Sequence, residues 1–356
     1  MGNPFDNRPA CDGRSGVTVF EPAKCSHGYT LCYSYTAESA QLVDMEGRVV
    51  HQWRYDQDIL WHFAEMLPNG HLLVIPNTGE YSSKISKQML LELDWDSNVI
   101  WTCSANAHHD AQRLDNGNTL VACHGRAHYN HLLPGRNMLY DYLQEITPTG
   151  DVVWEWHPAA HAEEFTVPVA AEGFDGLDDW PHINTVESLP DTALGRTDAR
   201  FRAGNVLVSG RNNHTIWIVD RRTDQVAWQY GPGKLLGQHE PTMLENGNIL
   251  IFDNGFGPPS LDRSRVVELD PLTGHIVWQY AADPPDAFFS PIGSGSQRLP
   301  NGNTLICAMN WAQRGRIFEV TPAGEIVWEF WNPEDLAFYR AVRYSPELIE
   351  ALLGRP

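Results

Sequence analysis

Apolar and polar positions along this chain alternate in short runs broken by Gly-containing turns, the period-two pattern of half-buried strands. Four runs enter a turn of the form Leu-x-Asn-Gly and leave it through a second apolar stretch. They are Leu67-Pro68-Asn69-Gly70, Leu114-Asp115-Asn116-Gly117, Leu244-Glu245-Asn246-Gly247 and Leu299-Pro300-Asn301-Gly302. Each reads as a β-hairpin. A second motif alternates with them, an acidic or polar turn followed by Val/Ile and Trp. It ends at Trp53, Trp101, Trp154, Trp228, Trp278 and Trp328, at intervals of 48, 53, 74, 50 and 50 residues. A period near fifty with four short strands per unit is the size of a propeller blade. The pattern predicts an all-β fold, a six-bladed β-propeller over residues 27–331, with these indoles at matching places as core between neighbouring sheets.

Departures from the period place the irregular parts. The unit from 182 to 228 has its turn expanded over 190–200, and two longer insertions cover 124–142 and 157–181. Insertions in a repeat protein gather in loops on one rim, often the binding rim, and these two are expected near the channel mouth. Residues 1–26 read as an arm packed on the body. Beyond Trp331, Asn332-Pro333-Glu334-Asp335 and Ser345-Pro346-Glu347 each resemble a helix start, and Gly354 a stop. Residues 332–356 are therefore expected as two short C-terminal helices of the same domain.

Equivalent positions in a repeat occupy equivalent places in space. Five residues before the leucine that enters each hairpin turn stand His62, His109, Asn184, His239 and Ser294. His108 adjoins this register, and His182 lies two residues before Asn184, on the same face of a strand. Arg211 ends the following strand. A single His in such a fold is usually structural, and the Asn-Gly pairs are turn chemistry. Buried imidazoles and charges converging on a channel end are costly unless used, so His109, His182, Asn184, Arg211 and His239 together predict a functional pocket, with His62 more peripheral. His124, His128 and His131 read as loop residues rather than zinc ligands, because no Cys or acid falls at ligand spacing beside them.

Composition narrows the partners. A formal net charge of −20 over 356 residues argues against nucleic acid or an anionic membrane. An anionic substrate would need a local positive pocket. Cys11, Cys25, Cys32, Cys103, Cys123 and Cys307 show no CxxC spacing, no leader pattern is visible, and no apolar run approaches the length of a membrane span. The expectation is a cytoplasmic protein with reduced thiols and a small-molecule substrate; homo-oligomerisation stays open.

Asp179-Trp180-Pro181-His182-Ile183-Asn184, Ser209-Gly210-Arg211, Gln238-His239 and Phe252-Asp253-Asn254-Gly255 resemble the bacterial-type arylsulfotransferases, which do not use the nucleotide sulfate donor. The resemblance spans about residues 27–331. It implies a six-bladed propeller and ping-pong transfer of a sulfuryl group from an aryl sulfate to a phenolic acceptor, through a sulfated histidine. His239 matches that histidine, His182 and Asn184 the H-x-N pair, Arg211 the arginine, and His109 the histidine of the His-Asp motif. The chemistry suits the residue types: a neutral imidazole is a competent nucleophile, and cationic donors stabilise charge on equatorial oxygens in transit. On this expectation the catalytic set is His239, His109, His182 and Arg211, with Asn184, His62, His108 and Ser294 binding substrate and no metal or cofactor. Two other readings stand beside it: a propeller lyase or hydrolase acting on an anionic sugar with His as base, and a non-catalytic ligand-binding propeller.

Overall fold

Six sheets form the blades of a propeller, antiparallel except where Asp179–Trp180 pairs in parallel with Met138–Ile146. The computed structural model describes residues 13–34, 37–55, 60–77, 89–127, 138–166, 179–257, 260–309, 314–334 and 336–354. Blades 2 to 6 follow the chain, each with its strands paired in sequence order. They open with Leu60–Met66, Ala107–Arg113, Ile183–Ser188, His239–Met243 and Gly295–Arg298, and close with Val99–Cys103, Val152–Trp156, Gln225–Tyr230, His275–Tyr280 and Ile326–Trp331. In the Leu-x-Asn-Gly turns the glycines Gly70, Gly117, Gly247 and Gly302 sit at φ of 87, 84, 87 and 87°. That left-handed backbone is why glycine recurs there.

Blade 1 is assembled from both ends of the chain. Its strands Tyr29–Tyr33, Ser39–Val43 and Val49–Arg54 lack a first strand of their own, and Arg340–Tyr344 fills that place by pairing with Tyr29–Tyr33. The expected boundary at 331 is therefore corrected, because the propeller needs residues 340–344 to close. The expected helix at Asn332 is corrected with it. Pro333 and Glu334 form a bend and 336–339 carry no helix, while Asp335 lies outside the described residues. Among the described residues beyond Trp331, only Pro346–Leu353 is helical, capped by Ser345. At the other end Gly16–Phe20 adds a fifth strand to blade 6 by pairing with Ile326–Trp331.

The periodic tryptophans pack with the core clusters and also act as latches. Trp101, Trp154, Trp228, Trp278 and Trp328 each sit one residue past a bulge in the outermost strand, at the same register position. Each indole N–H donates to the next blade's turn: to Pro148 O (2.8 Å), Asp224 Oδ1 (2.9 Å), Pro271 O (3.0 Å), Pro322 O (2.8 Å) and Met45 O (2.8 Å). Trp328 is buried, but the other four are half-buried. Blade 1 departs from the expectation. His51, not Trp53, holds the equivalent register position, and its Nε2 lies 3.0 Å from Trp95 O in the turn of blade 2. The latch thus runs round the whole ring, and counting from His51 restores the interval of 50 residues to Trp101. Trp53 lies two residues further on, fully buried among Leu31, Leu42 and Trp61.

The expanded turn of blade 4 holds a short helix, Ala193–Thr197, started by Thr192 accepting from Gly195 N, and then Ala199–Phe201. Of the two insertions, residues 124–127 and 138–142 prolong a hairpin of blade 3, and 158–164 form a 3-10 helix. Residues 128–137 and 167–178 lie outside the described set. Cys25, Cys32, Cys103, Cys123 and Cys307 are buried free thiols. Among the described residues no helix is long and apolar enough to cross a membrane.

If the ring of indole donors stabilises the closed propeller, Trp278→Phe should keep most of the ring volume and lose one hydrogen bond. Urea unfolding should show a loss of about 0.5–1.5 kcal/mol. An unchanged midpoint would mean that the Trp278 contact with Pro322 is incidental.

Candidate active site

The innermost strands of four blades are bulged where the sequence register placed its candidates. Pairing slips between Trp61 and Phe63, between Ala107 and Ala111, between Ile183 and Thr185, and between His239 and Thr242. A bulge leaves a residue unpaired in the ladder and re-aims its side chain. At or beside these slips His109, His182 and Glu240 adopt φ of 56, 60 and 47°, and Ser294 in blade 6 adopts 77°. Such backbone costs on the order of 1–3 kcal/mol per non-Gly residue and gathers at functional sites.

Four of the expected imidazoles come together. The His109 ring lies 5.1 Å from that of His62, 5.0 Å from His108 and 4.8 Å from His182 between centroids. All four side chains are buried, and His62 is as enclosed as the rest rather than peripheral. His182 Nδ1 lies 2.5 Å from Asp179 Oδ2, a contact that fixes the orientation of the ring. His109 Nδ1 lies 2.8 Å from His108 Nδ1, so one of the two nitrogens carries the shared proton.

His239 belongs to the same neighbourhood through charge. Burial first, then the Arg211 guanidinium, with Arg340 and His109 further off, pushes its imidazolium well below the ordinary range. His239 is therefore neutral at physiological pH. Its tautomer is fixed by geometry: Nδ1 faces Gly237 O at 3.0 Å and Asn254 Oδ1 at 2.8 Å, both acceptors. The Asn254 amide is itself oriented, since its Nδ2 donates to Ser290 O (2.8 Å) and Gly293 O (3.1 Å). The proton stays on Nδ1 and the Nε2 lone pair remains available. Gly237 turns its carbonyl here at φ 68°, and a Cβ there would stand 2.5 Å from Phe256 O. Arg211 follows strand Val206–Gly210, and its backbone N–H donates to His182 O (3.0 Å), tying it to the imidazole cluster.

Two expected binding residues are committed to the fold. Asn184, fully buried, donates from Nδ2 to Gln238 O (2.8 Å) and so holds the residue before His239. The Ser294 hydroxyl lies 2.7 Å from Ser290 Oγ and accepts from Met309 N (2.9 Å), which steadies the segment that orients Asn254. His124, expected in a loop, is instead buried in strand Thr119–Ala127, directly opposite Asp141. An acid does stand beside it, brought by strand pairing rather than by sequence spacing. His128 and His131 lie outside the described residues.

Sequence reasoning missed the residue at the centre. Arg340, buried, donates from Nη1 to Asp110 Oδ1 (2.9 Å) and from Nη2 to Asn184 O (2.7 Å). Its Nε lies 3.8 Å from Glu240 Oε1. Asp110 also accepts from Val186 N (2.8 Å). Further along the inner strands stand Glu65 and Glu187. Burial pushes both carboxyls up to about 8, and that of Glu240 up to about 7, although each keeps part of its surface open.

With this geometry in hand, the comparisons with known proteins are specific. Residues 88–333 match the family model described as Arylsulfotransferase (ASST). The chain belongs to the arylsulfotransferase family. The matched span includes His108, His109, His182, Asn184, Arg211, His239 and Ser294, and leaves out His62 and Arg340. No curated protein matches the chain in sequence. Among solved structures, a protein of unknown function from Bacteroides caccae superposes with a TM-score of 0.60 at 14% identity, over 89% of this chain and 99% of that one. A catalytically inactive virginiamycin B lyase from Staphylococcus aureus with quinupristin gives 0.46 at 8% identity, over 89% and 88%. The Cps50 (Swd1) β-propeller domain of Myceliophteria thermophila gives 0.48 at 12%, over 88% and 89%. The first of these likenesses supports the fold alone.

The perturbed groups set a pH dependence of stability. Glu65, Glu187 and Glu240 have folded values above their unfolded ones, so their contribution is full below the ordinary carboxyl range and is lost as pH rises through 7–8. His239 has a folded value below its unfolded one, so its contribution is full above the ordinary imidazole value and fades as pH falls. The urea midpoint should therefore drop on the alkaline side, from about pH 6 to about pH 9. Glu65→Gln and Glu187→Gln should each flatten that drop. A wild-type midpoint level across the range would contradict the assignment.

Proposed function

We propose that the chain transfers a sulfuryl group from an aryl sulfate to a phenolic acceptor, with His239 as the covalent carrier. The observation that carries this reading is the state of His239: buried, neutral, its Nδ1–H held by Gly237 O and Asn254 Oδ1, and its pKa depressed in part by Arg211. An imidazole so held has one nucleophilic nitrogen and cannot be lost to protonation at neutral pH. Family membership supports sulfotransfer in general; the histidine carrier is our inference.

In the first half-reaction His239 Nε2 attacks sulfur, the N–S bond forms and the S–O(aryl) bond breaks. The departing phenolate takes a proton from His109, and the sulfated imidazole carries a positive charge. The Nδ1–H then bonds more strongly to Asn254, which stabilises that charge. In the second half-reaction the acceptor phenol returns a proton to His109 and attacks sulfur, restoring His239. Arg211 supplies a positive donor for the equatorial oxygens, where negative charge is concentrated in transit, and His182, oriented by Asp179, lines the same pocket. Asn184 positions the Gln238–His239 backbone rather than touching substrate.

Steady-state kinetics with a chromogenic aryl sulfate and a phenol should give the parallel lines of a ping-pong mechanism. His239→Asn should remove turnover by several orders of magnitude, and Arg211→Ala should add roughly 2–4 kcal/mol to the barrier. His109→Gln should hurt most with donors whose phenols are poor leaving groups. Turnover by His239→Asn near the wild-type rate would overturn the carrier role. Saturable binding of the aryl sulfate with no turnover by wild type would favour a binding propeller.

A further inference from the structure

We propose that blade 3 carries a divalent metal site, formed by His108, His124 and Asp141 and suited to an ion of the zinc class. The three residues come from three adjacent strands: His108 from the bulged Ala107–Arg113, His124 from Thr119–Ala127, and Asp141 from Met138–Ile146. His124 and Asp141 are direct partners in the antiparallel register. The slip between Ala107 and Ala111 carries His108 toward them. One ligand atom from each residue lies within 4.8 Å of the other two, and their exposures are 1%, 0% and 2%.

The donor set is two imidazoles and a carboxylate, which zinc-class ions accept, and three protein ligands leave one position open. Donors bound at about 2.0–2.2 Å from one ion stand roughly 3.4 Å apart. His108 Nε2 already lies 3.1 Å from Asp141 Oδ1. The His108 and His124 rings stack at 4.6 Å with 19° between planes, so small side-chain rotations suffice to converge them. Surrounding contacts match those of ligating groups, whose remaining atoms are normally hydrogen-bonded. Asp141 Oδ2 accepts from Ile183 N at 2.6 Å, and His108 Nδ1 lies 2.8 Å from His109 Nδ1. A hydrogen-bonded His–Asp pair needs only one imidazole. A second one, stacked on the first and in register with the same carboxylate, is what a shared ion requires.

The site stands on this geometry alone and does not rest on the sulfuryl-transfer reading.

The test is zinc binding to the full-length protein after chelator treatment, read by calorimetry, with cobalt(II) absorption reporting coordination. One ion per chain is expected, with cobalt bands of a four- or five-coordinate site and a Tm raised by saturating zinc. His124→Ala and Asp141→Asn should each weaken binding at least about tenfold, while His239→Asn binds like wild type, so loss of transfer and loss of metal are read separately. Circular dichroism confirms that each variant is folded, and the wild-type titration decides the matter by itself if either is not. No binding and no Tm shift in wild type would overturn the proposal. So would folded His124→Ala and Asp141→Asn proteins that bind zinc with undiminished affinity.

Discussion

A guanidinium buried at the meeting point of four blades is the constraint on which the arrangement depends. Arg340 arrives on the strand that closes blade 1 and is held by Asp110 of blade 3 and the Asn184 carbonyl of blade 4, near Glu240 of blade 5. A charge removed from water is tolerated only with partners in place, and removal of one partner leaves the other stranded. Ring closure and site assembly are thus one event. Asp110 follows His109, Asn184 holds Gln238 beside His239, and Glu240 follows His239. The arginine that closes the ring fixes the backbone on which the imidazoles stand.

Strain and hydrogen bonding share the work of aiming those imidazoles. Left-handed backbone at His109 and His182 is a local cost that the antiparallel ladder on either side can sustain. Neighbouring groups then settle the state of His239: burial and the Arg211 charge keep it neutral, while Asn254 and Gly237 hold its one proton on Nδ1.

Much of the fold was legible because its signals are local. Leu-x-Asn-Gly turns need glycine at positive φ, and that requirement repeats on a fixed period whatever the rest of the chain does. His109 and His239 could be found for the same reason, since both stand at a fixed distance from such a turn. Blade 1 was not legible in this way. Its first strand comes from residues 340–344, behind a stretch whose Asn-Pro-Glu-Asp start resembles a helix cap, and that strand is placed by pairing with Tyr29–Tyr33 from the other end of the chain. Trp53 misled similarly, because the indole expected at the latch is replaced by His51 with the same hydrogen-bonding direction. Arg340, Asp141 and the orienting role of Asn254 depend on cross-strand and cross-blade contacts that no spacing encodes. The environment of His124 failed for that reason too: its acid lies 17 positions away in sequence yet directly opposite in the sheet.

The central claim is a covalent bond between sulfur and one nitrogen of His239. The most direct measurement is peptide mass spectrometry after brief incubation with an aryl sulfate in the absence of acceptor, quenched in base to protect an N–S bond. The account predicts one sulfuryl group per chain on the peptide containing His239, discharged when a phenol is added before the quench. Label on any other residue, or label that a phenol fails to discharge, would contradict it.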